Sequence, residues 1–414
     1  MKNFIIGYGE TLTQAVKVKS GSGDKKHPYT TEEARLRFIQ DLSSIISLNT
    51  DKPEIQCAAN QIVIKFIQHP AYLAKSYYPN KFFKNSGVKD IGSRPIKIKP
   101  EKWSVKKHPT EGLASCIYVS GTKAEFQNLL ENVQRKNISK AALATIRTFE
   151  KIDDFEATDK IKHIDKSSEE LNLEVVLHAT DEDEEIKSAF KEYVDHLDGQ
   201  ADWGRARSVG GLTFLPVMIH SGNEKGLAEF SHLRVLRSMP KLRFNKPEAF
   251  RNTLSEPFEL PEHLPLSTDF KVCIFDGGIG TNHLLGSWVN ETIPEDVLTS
   301  HPSYLAHGSE VCSSYLFGPY DSVSGILGSP YTNVDIIRVL SPDDRDHDLF
   351  DVLTRIENVL KRNEYKYVNL SLGPNLAIED DDVHAWTSVL DSILQSGECL
   401  ATVAVGNDGD LDGE

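Results

Sequence analysis

Short apolar runs alternate with amphipathic stretches in the last third of the chain. The clearest run covers 272–275; it stops at Asp276, and two glycines follow at once. An unbroken apolar run that ends in a tight turn is typical of a buried parallel strand. Comparable runs recur further along the chain, at 334–340, 367–373 and 399–409. Strands that alternate with helices in this way predict an α/β fold with a doubly wound parallel sheet.

A different pattern precedes this region, because short strands and amphipathic helices alternate there twice in succession. That order predicts two small α+β modules of the ferredoxin-like kind. Four prolines then mark a connector without regular structure. The predicted division of the chain is an N-terminal strand and helix segment at 1–52, a first module at 53–135, a linker at 136–168, a second module at 169–246, a proline-rich connector at 247–268 and the parallel region at 269–414.

Two helices of the upstream part are predicted together with their caps. Thr31 is expected to cap the first helix, whose acidic first turn suits the positive end of the helix dipole. Thr180 is expected to cap the helix of the second module in the same way. The apolar face of the first helix is predicted from residues at helical spacing, namely Leu36, Phe38, Ile39, Leu42 and Ile45.

Two polar residues of the parallel region are candidates for catalysis. Asp276 lies at the carboxyl end of its strand, where ligand sites form in open α/β sheets. His307 and Gly308 precede an apolar stretch, which predicts a helix that begins near the imidazole. A carboxylate bound to one imidazole nitrogen fixes the tautomer, so the other nitrogen can take a proton from a nucleophile. The competing interpretation is an aspartate that caps a turn and a histidine on a polar surface.

Four segments, taken in order, resemble the subtilisin-like serine proteases (subtilases, the peptidase S8 family). The segments read VCIFDGG, HGSE, NLSLG and AVGNDG. By this resemblance Asp276 orients the base, His307 is the general base and acid, and Asn407 stabilises the oxyanion. The resemblance also implies that three consecutive residues pair with the substrate backbone, Ser371, Leu372 and Gly373. The implied activity is a serine endopeptidase that cleaves protein or peptide substrates by acyl transfer.

The chain departs from the subtilase pattern at several positions. The family usually has Thr or Ser where this chain has Gly277, and His-Gly-Thr-His where this chain reads HGSE. The family's nucleophile lies in a Gly-Thr-Ser turn. The two Gly-Thr pairs of this chain, at 121–122 and 280–281, are not followed by Ser. The sequence is therefore interpreted as the N-terminal part of a protease without its nucleophile, and this polypeptide alone is predicted to be inactive.

The resemblance also suggests roles for the upstream modules. Subtilases often carry a small α+β pro-region that assists folding and occupies the cleft, and the second module holds a comparable position. Its tail, at 237–244, is expected to lie toward the cleft; the alternative is an accessory domain with no inhibitory role. By resemblance alone, an AAA-type ATPase is a candidate partner.

Composition narrows the function classes and the location. The net charge of −15 argues against a general nucleic-acid binder, and the lysines around Trp103 are interpreted as the solvated face of a strand. The five cysteines are odd in number and lie mostly in apolar runs, which favours reduced thiols. There is no secretory signal at the N-terminus and no apolar run long enough to span a membrane. A cytoplasmic protein is therefore predicted, with no membrane and no nucleic-acid partner.

No cofactor is expected from the sequence. The last residues, NDGDLDGE, resemble the opening of a calcium loop, but a solvated acidic turn is favoured because the rest of the loop is missing. A haloacid-dehalogenase phosphatase needs a second Asp where Gly278 lies, and a dinucleotide fingerprint lacks its third glycine at His283. The remaining alternative is a non-catalytic pseudo-protease that binds peptides without cutting them.

Overall fold

The structure is a computed structural model, and it describes residues 26–104, 108–240, 242, 259–269, 271–281, 283–318, 327–342, 349–374 and 382–404. The chain forms two compact units. The tandem unit comprises Thr13–Ser238 and Glu379–Val383. The parallel-sheet unit comprises Met1–Leu12, Met239–Ile378 and His384–Glu414. Among the described helices, none has the length and apolarity that a membrane span requires.

The first module of the tandem unit is a four-stranded antiparallel sheet covered by helices. Its elements are α1 (Thr31–Leu48), β1 (Gln61–Gln68), α2 (Asn80–Ser86), β2 (Lys89–Ile98), β3 (Gly112–Thr122), α3 (Lys123–Gln134), α4 (Lys140–Ile146) and β4 (Phe149–Asp154). The strand order is β2-β3-β1-β4. Phenylalanines from five of the helices and strands lie in its core, and Phe66 packs against both Phe38 and Phe149.

Two parts of the predicted division differ from this module. Helix α1 contributes to the same core as the sheet, so it is not a separate segment. The segment predicted as a linker, 136–168, contains α4 and β4, and β4 pairs with β1. Strand β4 was not predicted, because Phe149 and Ile152 are its two apolar residues and the other four are charged.

The cap of α1 also differs from the prediction by one residue. Thr30 is the cap: its hydroxyl oxygen accepts from the Glu33 amide at 3.2 Å, and the Glu33 carboxylate accepts from the Thr30 amide at 2.8 Å. Thr31 is the first helical residue. Leu36 is 55% exposed, so it does not belong to the buried face. The reciprocal Thr-x-x-Glu bonds are a capping box, which local sequence can reveal.

The second module repeats the strand order of the first. Its elements are α5 (Ala157–Lys160), β5 (Glu170–Leu177), α6 (Glu184–His196), β6 (Gln200–Ala201), β7 (Arg207–Val209), β8 (Leu212–His220), α7 (Glu224–Ala228) and β9 (Leu233–Ser238). The antiparallel order is β6-β8-β5-β9, and β7 also pairs with β8. Helix α6 follows Asp183, whose carboxylate accepts bonds from the Thr180 amide and hydroxyl at 2.8 and 2.7 Å. The predicted Thr180 cap is therefore wrong, because Thr180 donates to Asp183.

The buried Lys160 of this module makes the stability of the protein depend on pH. Its ammonium donates to the Phe230 carbonyl oxygen at 2.8 Å, and burial, followed by repulsion from Lys52, lowers its pKa to about 7. Between that value and the unfolded pKa of 10.5, the unfolded chain binds a proton that the folded chain lacks, so stability rises with pH. Below pH 7 both states are protonated and the contribution is constant.

We expect the unfolding free energy of the wild type, relative to Lys160→Met, to increase by about 2 kcal/mol between pH 7 and pH 9. Denaturant titrations at the two pH values measure this difference. The exposed Lys191 on α6 supplies the control, since Lys191→Met is expected to give no such change. A Lys160→Met difference that is independent of pH would contradict the burial argument.

The parallel-sheet unit is built around one five-stranded sheet. Its elements are β10 (Val272–Asp276), β11 (Val289–Thr292), α8 (Pro302–Phe317), β12 (Val334–Arg338), α9 (Leu349–Leu360), β13 (Tyr367–Leu370), α10 (Ala385–Leu394) and β14 (Leu400–Val403). The order is β11-β12-β10-β13-β14, and every pairing is parallel. The predicted parallel α/β sheet is confirmed. Strand β11 was not predicted, because it is four residues long and buries only Val289.

Strand β10 lies in the centre of this sheet, and all five of its residues are buried. Helix α8 packs on β10 and β12 through a core that includes Ile274, Ile336 and Cys312. Since parallel strands end at the same edge, the residues after β10, β12, β13 and β14 are brought to one side of the sheet. This edge carries the candidate active site.

Candidate active site

Asp276 and His307 lie within hydrogen-bond distance of each other. The Nδ1 atom of His307 is 2.9 Å from Oδ1 and 3.0 Å from Oδ2 of Asp276. The Asp276 carboxylate is fully buried, whereas 27% of the His307 side chain is exposed. Because a carboxylate oxygen accepts, Nδ1 carries the hydrogen in the neutral imidazole. The arrangement leaves Nε2 as the basic nitrogen of a histidine that is partly open to solvent.

Glycines allow helix α8 to approach the turn after β10 closely. A Cβ atom on Gly308 would lie 2.2 Å from the carbonyl oxygen of Gly278, and one on Gly277 would lie 2.3 Å from Cβ of Tyr304. Any side chain at these two positions would push the helix and the turn apart. The glycines therefore set the distance at which His307 meets Asp276.

The same packing explains the departure from the subtilase pattern at position 277. Tyr304 occupies the space that a Thr or Ser side chain would need. The backbone amide of Gly277 donates to Oδ1 of Asp276 at 2.7 Å, so the carboxylate has a second donor besides the imidazole. A backbone amide therefore donates to Asp276 at this position.

Helix α8 begins five residues before His307. Its first residue is Pro302, and the ring nitrogen of His301 accepts a bond from the Ser303 amide. The predicted helix start near His307 is therefore wrong, and the imidazole lies in the second turn. Proline is favoured in the first turn of helices, so the His-Pro pair is the signal that sequence analysis missed.

An ion pair that was not predicted supports the turn from the other side. Nη2 of Arg338 lies 2.7 Å from Oε1 of Glu291, and that same oxygen accepts from the Ile279 amide at 3.1 Å. Gly278 adopts a φ of +91°, and a Cβ atom there would lie 2.2 Å from the Glu291 carboxylate. The ion pair therefore fixes the turn that follows Asp276, and the glycine at 278 leaves room for the Glu291 carboxylate.

A cleft opens beside the exposed edge of His307. Its volume is about 1030 Å³, and it is lined by residues from α8, β13 and β14. The Thr402 hydroxyl donates to Oδ1 of Asn369 at 2.8 Å, and Nδ2 of Asn369 donates to the Ser371 hydroxyl at 2.8 Å. This chain of bonds fixes the Ser371 side chain in the wall that it shares with His307.

The three residues expected to pair with substrate lie directly after β13. Ser371 and Gly373 are partly exposed, and Leu372 is buried. No atom lies within 4 Å of the position that a Cβ on Gly373 would take, so the backbone is open there. Leu242 and Pro374 form an antiparallel bridge immediately beyond this stretch. The backbone directly after the three residues therefore forms an antiparallel bridge with another residue of the chain.

The remaining candidate groups either lie outside the described residues or do not have the chemistry of a metal site or a nucleophile. Asn407 and the calcium-like end at 407–414 lie outside the described residues. In the described part of the chain, no group of three or more His, Cys, Asp or Glu side chains could hold a metal ion. Cys312 is also on α8. Burial raises the pKa of its thiol to about 12, and the negative charges of Asp276 and Glu291 contribute to this rise. A protonated thiol is a poor nucleophile.

Comparisons with known proteins give matches only among solved structures. No model of a known protein family matches the sequence, and no curated protein matches it. Similar structures include a mutant of the protease domain of PatA, at 24% identity and a TM-score of 0.29, covering 36% of this chain and 54% of that chain. The self-cleaved protease domain of PatA follows at 22% identity and a TM-score of 0.27, covering 35% and 52%.

A further similar structure is the Prenylagaramide maturation protease PagA, at 22% identity and a TM-score of 0.25, covering 34% of this chain and 47% of that chain. The chain thus spans about half the length of these solved structures. All three are described as proteases or protease domains.

Proposed function

We propose that this chain forms part of a serine endopeptidase of the subtilisin kind, which cleaves protein or peptide substrates. The observation that carries the proposal is the bond between the buried Asp276 carboxylate and Nδ1 of His307, at 2.9 Å, beside an open cleft. A buried carboxylate bound to a partly exposed imidazole has the geometry of a general base with its orienting group. A serine from outside these 414 residues supplies the nucleophile.

Each candidate residue has its own role in the proposed reaction. Asp276 holds the imidazole so that Nε2 accepts the serine proton, and the carboxylate stabilises the imidazolium that results. His307 then returns the proton to the leaving amine. The backbone at 371–373 pairs with the substrate, and Asn407 donates to the oxyanion. The Leu242–Pro374 bridge supports this use of the edge, since it lies directly after residue 373.

The second module is proposed to act as a pro-region of this protease. Leu242, in the segment 237–244 that was expected to lie toward the cleft, is 2% exposed where it bridges Pro374, and both residues belong to the parallel-sheet unit. A cytoplasmic location is also proposed. All five cysteines are free thiols, and four of them are buried, which suits a reducing compartment.

A fluorophosphonate probe, which reacts with activated serines, tests the proposal. We expect no active-site labelling of the 414-residue chain alone. We expect labelling and peptide cleavage when the chain is lengthened by, or mixed with, the polypeptide that carries a Gly-Thr-Ser turn. His307→Ala is expected to abolish both signals, whereas His263→Ala, at an exposed imidazole in the same unit, is expected to retain them.

Two outcomes would contradict the proposal. Labelling of an active-site residue in the 414-residue chain alone would show that the nucleophile lies within it. Failure of labelling with every serine-bearing partner, together with tight binding of peptides to the cleft, would favour the pseudo-protease.

A further inference from the structure

A cavity in the tandem unit is lined by residues of both modules and contains buried polar atoms. Its volume is about 600 Å³. Ser120, His178 and His232 line it, and they are 1%, 2% and 0% exposed. Oγ of the serine and Nε2 of each histidine have no hydrogen-bond partner among the residues whose positions the structure describes. Because a buried polar group without a partner is costly, the cavity suits a ligand that bonds to these atoms.

The pairing of β5 with β9 places the two histidines side by side. The register joins Leu177 to Leu233, and the His178 amide donates to the His232 carbonyl oxygen at 2.8 Å. The histidines therefore occupy the next opposite position, just after β5 and just before β9. Residues directly opposite each other on antiparallel strands project from the same face. Both imidazoles are thus brought to one cavity.

The imidazole of His178 presents a lone pair. Its Nδ1 lies 3.2 Å from the carbonyl oxygen of Ile91, and a carbonyl only accepts, so Nδ1 carries the hydrogen and Nε2 is bare. Burial, and then the charge of Arg234, holds the pKa of His178 well below its usual range. Burial, and then the charge of Lys160, lowers the pKa of His232 to about 3. Both rings are therefore neutral at pH 7, and Nε2 of His178 accepts hydrogen bonds.

The remaining charged residues of the cavity are mostly acidic. Lys89 also lines it, and Nζ of this lysine lies 4.0 Å from Oδ1 of Asp183. The positive end of α6 adds the equivalent of about half a charge. These positive groups offset only part of the negative charge, so the potential favours a cation over an anion. The carboxylates that line the cavity are those of Asp90, Glu182, Asp183, Glu184 and Glu185.

The buried atoms and the carboxylates together select one class of cation. A metal ion is disfavoured, since three or more His, Cys, Asp or Glu ligands converge nowhere within the described ranges. A cavity of about 600 Å³ has the size of sites for small organic molecules. A quaternary ammonium ion has no hydrogen to donate to Nε2 of His178. A protonated primary amine supplies both the charge and the N–H donors.

We propose that the tandem unit binds a small aliphatic amine in the cavity between its two modules. The ammonium group donates to Nε2 of His178 and to the hydroxyl of Ser120, and the carboxylates around the cavity stabilise its charge. This inference is independent of the protease proposal, because it needs neither the Asp276–His307 pair nor a nucleophile.

Calorimetry of the 414-residue chain with 1,4-diaminobutane tests the proposal. At pH 7 we expect 1:1 binding with a Kd below about 1 mM. The quaternary, fully N-methylated form of the diamine keeps the charge but has no N–H donors. 1,4-Butanediol keeps two donors but has no charge. Each of these compounds is expected to bind at least about 10-fold more weakly than the diamine.

Two substitutions test the buried atoms separately. Ser120→Ala removes one hydroxyl and is expected to weaken binding of the diamine about 3- to 10-fold. His178→Leu removes Nε2 and is expected to weaken it at least about 10-fold. The matched controls are Ser188→Ala and His196→Leu, at exposed positions on α6 outside the cavity, and both are expected to bind as the wild type does.

The ¹⁵N NMR signal of His178 provides a readout that needs no folded variant. Addition of the diamine to the wild type is expected to shift the Nε2 resonance upfield, as a bare nitrogen begins to accept a hydrogen bond. Three results would overturn the proposal. They are no binding of the diamine by the wild type, equal binding by the wild type and both cavity variants, and 1:1 binding of Zn²⁺ in place of the diamine.

Discussion

An Asp276→Asn variant is expected to lose about 10⁴-fold in kcat once the serine is supplied. Asparagine has the shape of aspartate, but its amide group can donate to Nδ1, so it favours the tautomer in which Nε2 carries the hydrogen. Nε2 then has no lone pair with which to accept the serine proton. The carboxylate that would stabilise the imidazolium is also gone. Steady-state kinetics on a peptide substrate measures the effect.

The change should act on kcat far more than on KM, because the substrate edge at 371–373 is untouched. The matched control is Asp335→Asn, which lies on β12 in the same sheet, and its kcat is expected to stay near the wild-type value. A loss of less than about 10-fold for Asp276→Asn would show that the carboxylate does not orient the base.

A Gly308→Ala variant is expected to disrupt both stability and the Asp276–His307 pair. The added Cβ atom would lie 2.2 Å from a backbone oxygen of Gly278, which cannot move as the end of a flexible side chain can. Overpacking of a core typically costs about 1–3 kcal/mol, and a contact with backbone belongs at or above the top of that range. Relief requires the helix and the turn to separate, which lengthens the 2.9 Å bond.

Denaturant unfolding measures the loss of stability in Gly308→Ala. Gly328→Ala is the control, because no atom lies within 4 Å of the position that its Cβ would take. That control is expected to change the unfolding free energy by less than about 0.5 kcal/mol. Equal stability of Gly308→Ala and the wild type would mean that the close approach of α8 to the turn does not fix the pair.

Local patterns were sufficient to predict the centre of the parallel sheet. The unbroken apolar run before Asp276, and the glycines after it, identify a buried strand and its turn without reference to the rest of the chain. The capping box at Thr30 is equally local, although Thr31 was predicted as the cap. The position of His307 on α8 was predicted less well, because the helix start depends on His301 and Pro302 rather than on the apolar residues that follow.

Contacts between distant residues could not be predicted in this way. Strand β4 is recognisable only through its pairing with β1, since its own sequence is mostly charged. The Glu291–Arg338 pair joins residues 47 positions apart, and the Arg94–Asp382 pair joins residues 288 positions apart. The pattern of apolar and polar residues in one segment does not show which distant segment it contacts. The space that Tyr304 takes beside Gly277 is likewise a property of the packed fold.

The bond between Asp276 and His307 can be observed directly by long-range ¹H–¹⁵N NMR of the imidazole ring. In the neutral imidazole of His307 we expect a hydrogen on Nδ1, no hydrogen on Nε2, and loss of this pattern in Asp276→Asn. A wild-type His307 that carries its hydrogen on Nε2, or a ring spectrum that does not respond to Asp276→Asn, would contradict the account.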